Sequence, residues 1–502
     1  MQFESEVYMK TSEMEPVRFL SAEEMQRIHE NACRILEDTG MKIDHLKSLE
    51  YLRDAGCSVD FERRTVKFPR QIIENAVTKM KANYSSSKRL PKRMSVRYSQ
   101  VRFDKKPFKI HEDFSVSTGG FCCFVLDLDG KRRPASISDV RDSLKLADRL
   151  DQITYSGLPV AAQEVPVGIR TVAMAAELAK ATKKFGGIET FKARDVEYIS
   201  RIGEVVQGGT KALQENPILA GYAEVRSPLC LDEVMADVLI AHLERGLPQT
   251  IESMPNAGAT TPMSAAGTLS MGAAETLGGL VLGFAVNPEA TIGVDINPGY
   301  CDMRSMLFGY AGAERVPLLS ARIQLISEFY GCPSGVHGGK TNACVAGIQA
   351  GVEKGISMLA PVLAGAIGFG TVGHLENAIT FSPLQLVIDN EIARYVRRAV
   401  KGVEVTDETL DYETVKSAGI GGNTVSSEST MLRFKEEELL SPFFDALSWG
   451  TGDSLDSRRF EKLAAAKAEE LLAVEAESPL SREQVKAIDE IVEEAKRDPL
   501  MK

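Results

Sequence analysis

From Ile153 to Phe369, short apolar runs are repeatedly followed by a Gly-bearing turn and then a helical stretch, and this repeat constrains the fold more than any other feature. The runs are ITYSGLPV (153–160), KFGGIET (184–190), PILAGYAEV (217–225), PQTIESM (248–254), ATIGVDI (290–296), PSGVH (333–337) and PVLAGAIGF (361–369). Helical patterns such as GIRTVAMAAELAKAT and CLDEVMADVLIAHLERG lie between most of them. A unit of about 30 residues suits a right-handed βα crossover. No G-x-G-x-x-G turn follows the first strand, which favours a closed barrel over a doubly wound open sheet. The expected fold class is therefore α/β, a (β/α)8 TIM-type barrel in which seven strands are readable and the eighth is not. In such a barrel the polar residues just past the strands build the active site. Here those positions carry Asp295, Asn297, His337, Lys340, His374 and Glu376.

Two flanking regions complete the expected organisation. Residues 1–150 read as an accessory region, opened by the capping box Ser21-x-x-Glu24 and a helix running to Gly40. Helical stretches around His45–Ala55 and Pro69–Ala82 follow. Periodicity then switches to twos through MSVRYSQVRFDKKPFKIHEDFSVSTGGFCCFVLDLDGKRR, with a hairpin turn at Asp129-Gly130, so a small antiparallel sheet is expected. Residues 151–402 form the barrel, and 403–502 a helical extension whose amphipathic stretches would dock on the barrel or on a second copy of the chain.

Bulk properties narrow the function. A net charge of -11 and a pI near 5.4 argue against nucleic acid or an anionic membrane as partner. No apolar run approaches bilayer length, and the charged first thirty residues carry no signal peptide, so a soluble cytoplasmic protein is expected. The eight cysteines form no C-x-x-C pair and have no nearby His-rich stretch; buried or inert thiols are expected, with no metal bound by this chain. His29, His45, His111 and His242 receive no role.

Four segments carry a resemblance. MPNAGATTPMSAAG (254–267), PSGVHGGKTNACVAGIQAGVEK, HLENAITFSPLQLVIDNEI and the opening FLSAEEMQRIHENACRILEDTGMKI resemble stretches of the trimethylamine methyltransferase family, over roughly residues 15 to 400. The resemblance implies a barrel that moves a methyl group from an amine to the cobalt of a corrinoid (cobalamin) supplied by a cognate corrinoid protein. Members acting on trimethylamine carry pyrrolysine in the region matching Gly338 to Asn342, where this chain has Gly339, Lys340 and Thr341. Characterised members without pyrrolysine act on quaternary amines such as glycine betaine, so the resemblance implies that class; proline betaine, carnitine and related betaines stay open.

Chemistry points the same way. A quaternary ammonium already has an electrophilic methyl and leaves as a neutral tertiary amine, so the protein needs only to orient one N–methyl bond and exclude water. Aromatic faces and carboxylates would hold the cation: Tyr155, Tyr222, Tyr300, Phe369 and Phe381, with Glu189, Glu224 and Glu252 at neighbouring strand ends. His337, Lys340, Asn297 and Arg304 would serve a betaine carboxylate, and His374 with Glu376 forms a further polar pair. His337, Glu224 and Glu252 are the residues expected at the reacting centre. Gly pairs at 119–120, 186–187, 338–339 and 421–422 would leave room for a planar macrocycle. The small residues after Met254 would let the following helix pack closely, or keep its loop low beneath something wide.

Three other readings are open at this level. A Schiff-base aldolase needs a lysine projecting from a barrel strand, whereas Lys340 lies past its strand. A zinc-dependent methyltransferase needs a His/Cys ligand set that the spacing does not assemble. A degenerate barrel could bind betaine without catalysis. A homo-oligomer is expected for a barrel of this size.

Overall fold

A computed structural model describes residues 14–85, 110, 112–219, 221–444, 446–452, 454–475 and 477–501. The expected strands within 94–109, and His111, lie outside these residues. The chain is a mixed α/β protein whose longest parallel sheet is Ala223–Val225, Gln249–Ser253 and Ile292–Ile296, with Gln249–Ser253 in the centre. A second set of parallel pairings is much shorter. Gly368–Phe369 pairs with Ser115–Val116, and single bridges join Val336 to Phe369, Ser117 to Tyr155 and Ser156 to Phe185. Among the described residues no pairing joins the two sets, so the hydrogen-bonded ladder does not close into the expected barrel.

Ser115–Val116 corrects the strand reading, because it belongs to the parallel set and not to an antiparallel sheet. Phe114 and Val116 are buried outward, while Ser115 and Ser117 line an interior cavity. A strand with small polar residues inside and apolar ones outside alternates in twos just as a hairpin strand does. The hairpin at Asp129-Gly130 is present: Phe124–Leu126 and Arg132–Pro134 pair antiparallel. PVLAGAIGF is corrected too. Pro361 lies inside the helix Ile348–Leu363, and only Gly368–Phe369 is strand.

The helix Ala265–Val286 explains the small-residue run after Met254. A Cβ on Gly272, Gly279 or Gly283 would stand 2.6 Å from Ile296, Ile251 or Ile292, so glycine lets this helix lie directly on the sheet. Its opposite side packs against Ala22–Arg34, Leu46–Asp54 and Arg70–Ser85. Contrary to the sequence reading, this helix is long and apolar enough to cross a bilayer; it is the one such helix among the described residues, and it is buried inside the protein.

The N-terminal helices form where expected. Ser21 caps Ala22–Arg34, its hydroxyl accepting from Glu24 N at 3.2 Å while Glu24 accepts from Ser21 N at 2.8 Å, a device contributing about 1 kcal/mol. A π-turn at Ile35–Thr39 and Gly40, at φ 79°, end the helix. Met41–Ile43, Ser58–Asp60 and Thr65–Lys67 form a small sheet with Cys230–Leu231, which the sequence did not reveal. At the other end, Arg459–Ala473 packs on Pro383–Val400 and Ile137–Arg149, and Arg482–Arg497 packs on Val167–Ala181 and Ala193–Gln207. These two amphipathic helices therefore dock on their own chain.

Candidate active site

Parallel register places three acids side by side: Glu224 lies opposite Glu252, and Glu252 opposite Asp295. Residues paired in a parallel ladder point to the same face, about 4.8 Å apart. Here that face is the one turned away from the Ala265–Val286 helix, because Ile251, Ile292 and Ile296 meet the helix. Glu189 joins the group from the neighbouring strand end, accepting a hydrogen bond from the Tyr222 hydroxyl.

Each acid is held differently. Arg322 donates to Asp295, which also accepts from Ser334 Oγ at 2.9 Å, so Asp295 is neutralised by a buried guanidinium. Glu252 is buried, and its carboxyl is pushed well above the usual range by burial first and then by Asp295 and Glu224. Burial also raises Glu224. Glu189 is raised to about 7 by burial, opposed by the Tyr222 hydrogen bond and reinforced by Glu224. Lys340 is the cation facing these three acids. It is buried, sits 4.3 Å over the Tyr310 ring, and is lowered to about 8 by burial and by Arg315, against the pull of the three glutamates.

A second network sets His337. Arg315 donates to Asn297 Oδ1 at 2.7 Å, to Pro298 O at 2.8 Å, to His337 O at 3.2 Å and to Tyr310 O. With Asn297 Oδ1 occupied, its Nδ2 faces His337 Nδ1 at 3.1 Å. Nδ1 therefore accepts, and the proton of the neutral ring sits on Nε2, which faces Glu252 Oε1 at 3.7 Å. Arg315 thereby ties three loops into one frame around the imidazole.

Two cavities share Glu189 and Tyr222 as lining. The inner one, about 140 Å³, runs among the strands and is lined by Ser115, Ser117, Glu252, His337 and Phe369. The outer one, about 350 Å³, lies at the strand ends against Glu224, Asn256, Phe308 and Tyr310. Met235, Met254 and Phe308 also line it; Met303, Met306 and Leu307, just before Phe308 in the chain, are exposed, and Met263 and Met303 lie together over Gly258.

Of the residues nominated from sequence, Glu189, Tyr222, Glu224, Glu252, Asn297, His337 and Lys340 come together here. Phe369 lines the inner cavity with its ring 5.2 Å from Phe114. The others lie elsewhere. Tyr155 is buried beside Ser117, and Phe381 is buried opposite His374. Tyr300 is half-buried between Ala257 and Gly309. Arg304 is 92% exposed and paired with Asp302 at 2.7 Å. Glu376 bonds Arg132 at 2.9 Å and Thr380 at 2.6 Å, so it does not orient His374. His374 is fully buried against Gly120, and burial keeps it neutral.

The glycine pairs serve backbone approach more than a macrocycle. A Cβ on Gly338 would lie 2.8 Å from Ser357 O, and one on Gly339 2.6 Å from Thr371 O. Gly119–Gly120 and Gly186–Gly187 do line the inner cavity, while Gly421–Gly422 lie on an exposed segment. Sequence reasoning missed Tyr310, Arg315 and Arg322. Two arginines seven apart in the apolar stretch RVPLLSARI share a helix face, and that spacing was the available signal.

Beneath the site, Lys354 and Asp389 form an ion pair at 2.6 Å with both side chains fully buried. Lys354 also donates to Gly339 O at 2.6 Å, and Asp389 accepts from Gly373 N at 2.6 Å and Gln385 at 2.8 Å. The pair clamps the loop carrying Lys340 to the loop carrying His374.

The chain has relatives in sequence along most of its length. The chain is 29% identical over 418 residues to the trimethylamine methyltransferase MttB of Desulfitobacterium hafniense (strain DSM 10664 / DCB-2), covering 83% of this chain and 82% of that protein. It is 29% identical over 436 residues to the glycine betaine methyltransferase of Desulfitobacterium hafniense (strain Y51), covering 86% and 88%. Among solved structures, the Methanosarcina barkeri monomethylamine methyltransferase (MtmB) aligns over 98% of this chain and 95% of that one, at 13% identity and a TM-score of 0.41. The profile of the trimethylamine methyltransferase family matches residues 2–499. The chain therefore belongs to the trimethylamine methyltransferase (MTTB) family, and it is an enzyme, a methyltransferase.

Proposed function

We propose that this enzyme takes a methyl group from a quaternary amine, glycine betaine first among them, and passes it to the cobalt of a separate corrinoid protein. The observation that carries the reading is the convergence of Glu189, Glu224 and Glu252 on one enclosed space with Lys340 as the cation facing them. Burial alone disfavours three carboxylates there, and a permanent cation restores them. Tyr222 and Tyr310 add aromatic faces at the same cavity. Lys340, in the stretch matching the pyrrolysine region, and His337 are the residues placed to face a betaine carboxylate, while Arg315 is spent on backbone and Asn297.

Mechanistically, the chain's own task is orientation. The acids hold the ammonium, the buried frame excludes water, and the electron pair of the broken N–C bond stays on nitrogen as a neutral amine, so no residue needs to give a proton. A corrinoid docked at the mouth supplies a strongly nucleophilic cobalt as acceptor. Exposed Met263, Met303, Met306, Leu307 and Phe308 offer a flat apolar group a yielding rim.

The same reading arranges the strands as one ring of eight. Their cyclic order is Ser115–Val116, then the segments at Tyr155 and Phe185, then Ala223–Val225, Gln249–Ser253, Ile292–Ile296, the segment at Val336, and Gly368–Phe369 beside Ser115. The barrel body then begins near Phe114, inside what reads from sequence as an accessory region of residues 1–150. Exposed Val403, Val405, Ile420, Val425 and Trp449 on the segment between barrel and C-terminal helices support a homo-oligomer. Eight free cysteines suit a reducing, cytoplasmic setting.

An anaerobic optical assay of cob(I)alamin methylation against quaternary amines and trimethylamine tests the proposal. Turnover with glycine betaine and none with trimethylamine is expected; silence across the panel overturns it.

A further inference from the structure

Away from the candidate active site, His29, Cys33 and Glu74 bring an imidazole, a thiol and a carboxylate within 4.8 Å of one another. His29 and Cys33 are one helical turn apart on Ala22–Arg34, so both project to the same side, and Glu74 reaches them from Arg70–Ser85. The two spacings from His29 Nε2 are those of ligands around a common centre, and the third pair lies within 4.8 Å. Bond lengths of about 2.0–2.1 Å for N and O and about 2.3 Å for S at a tetrahedral angle put N···O near 3.3 Å and S···N near 3.6 Å. Here His29 Nε2 lies 3.1 Å from Glu74 Oε1 and 3.6 Å from Cys33 Sγ.

The surroundings match as well. His29 Nδ1 is 3.1 Å from the Tyr330 hydroxyl, which fixes the ring and directs Nε2 at the cluster, the usual outer-shell support for a metal-bound histidine. Glu74, Glu37 and Glu30 add negative charge near Cys33, and Arg70, whose Nε lies 3.6 Å from Glu74 Oε1, is the opposing cation among the residues acting on that thiol. His29 and Cys33 are buried, whereas the Glu74 side chain is 40% exposed, which leaves an entry path and a water position.

We propose that His29, Cys33 and Glu74 bind one divalent metal ion of the zinc class, which pins the helices Ala22–Arg34 and Arg70–Ser85 together and, through Tyr330, to the body of the protein. The imidazole–thiolate–carboxylate set selects zinc over magnesium or calcium, which take oxygen ligands. Binding replaces the Cys33 S–H bond with an S–Zn bond and releases that proton to solvent. The site is structural, lies apart from the three active-site glutamates, and does not depend on the substrate proposed above.

Stripping the full-length protein with a chelator and reloading it with Zn²⁺ or Co²⁺ tests this. Retention of one zinc per chain, a higher melting temperature with zinc, and a near-ultraviolet thiolate-to-Co²⁺ band are expected. Cys33→Ser should abolish the band, and Cys33→Ser and Glu74→Gln should each weaken zinc binding roughly tenfold or more. Both variants should keep the wild-type circular dichroism spectrum and cobalamin-methylation rate. The proposal is overturned by failure of the wild type to retain metal, or by equal retention in both variants, which would assign the metal to exposed thiols such as Cys123 and Cys344. In either case His29, Glu74 and Tyr330 are a hydrogen-bonded strut only.

Discussion

At the scale of single residues, the charge state of the acids decides how the site responds to substrate. Glu252 is buried between Glu224 and Asp295 in the ladder, so Glu252→Gln removes one full charge from the place where an ammonium would sit while keeping the shape. A loss of about a hundredfold in kcat/KM is expected, with a urea midpoint at neutral pH no lower than that of the wild type because burial already disfavours the carboxylate, measured by cobalamin methylation and fluorescence unfolding. Glu189 gives a pH signature. Its carboxyl rises from 4.5 to about 7, so the folded chain keeps a proton that the unfolded chain releases. The folded state therefore loses stability as pH rises from 4.5 to about 7, and the loss is constant above that. A bound permanent cation reverses the preference, so binding at about pH 6 should expel a proton and affinity should rise toward pH 7 and then level off. Calorimetry in two buffers of different ionisation heat checks this; no proton release at about pH 6 would remove Glu189 from the site. The three glutamates were legible in sequence because strand ends can be counted, whereas Arg315 was not, since its role depends on three loops meeting it.

At the scale of elements, the clamp from Ile348–Leu363 to Pro383–Val400 is the feature most open to test. Lys354→Met leaves Asp389 buried and uncompensated, which should cost about 3–5 kcal/mol. Combining it with Asp389→Leu should recover much of that stability while still loosening the Gly339 and Gly373 loops, so activity should stay low. Urea midpoints with initial rates on the single and double variants separate the two effects. A double variant with full activity would show that the clamp does not position the loops. Sequence could not reveal this pair, since Lys354 and Asp389 are 35 residues apart and meet only when their two helices pack. The Ala265–Val286 helix is the opposite case: its Gly272, Gly279 and Gly283 were visible, and the choice between close packing and an open loop was settled only by their 2.6 Å approach to Ile296, Ile251 and Ile292.

At the scale of the whole molecule, the segment before the first helix and the last long helix are each fastened to distant parts of the chain. Arg18 pairs with Glu328 at 3.0 Å, and Gln324 accepts from Phe19 and Leu20, so the segment Arg18–Leu20 is fastened to the π-turn after Arg315–Ile323. The last helix buries Ile488 and Ile491 and pairs Glu494 with Arg201 at 2.6 Å. Each isoleucine contributes about 1.5–3 kcal/mol, so a chain ending before Arg482 should unfold at a lower urea concentration and scatter light at temperatures where the full chain does not. An unchanged unfolding midpoint would mean that this helix is an appendage. The sequence by itself determined the Ser21 cap and the N-terminal helices it opens, the hairpin at Asp129-Gly130, and the apolar runs of the central sheet with Glu224 and Glu252, because these follow from local periodicity and turn chemistry. Only the tertiary structure decided that Ser115–Val116 joins the parallel set, that Arg304 and Glu376 are spent on surface partners, and that Glu224, Glu252 and Asp295 stand abreast. Register, burial and the partner of a charge are properties of segments distant in the chain, and no local pattern encodes them.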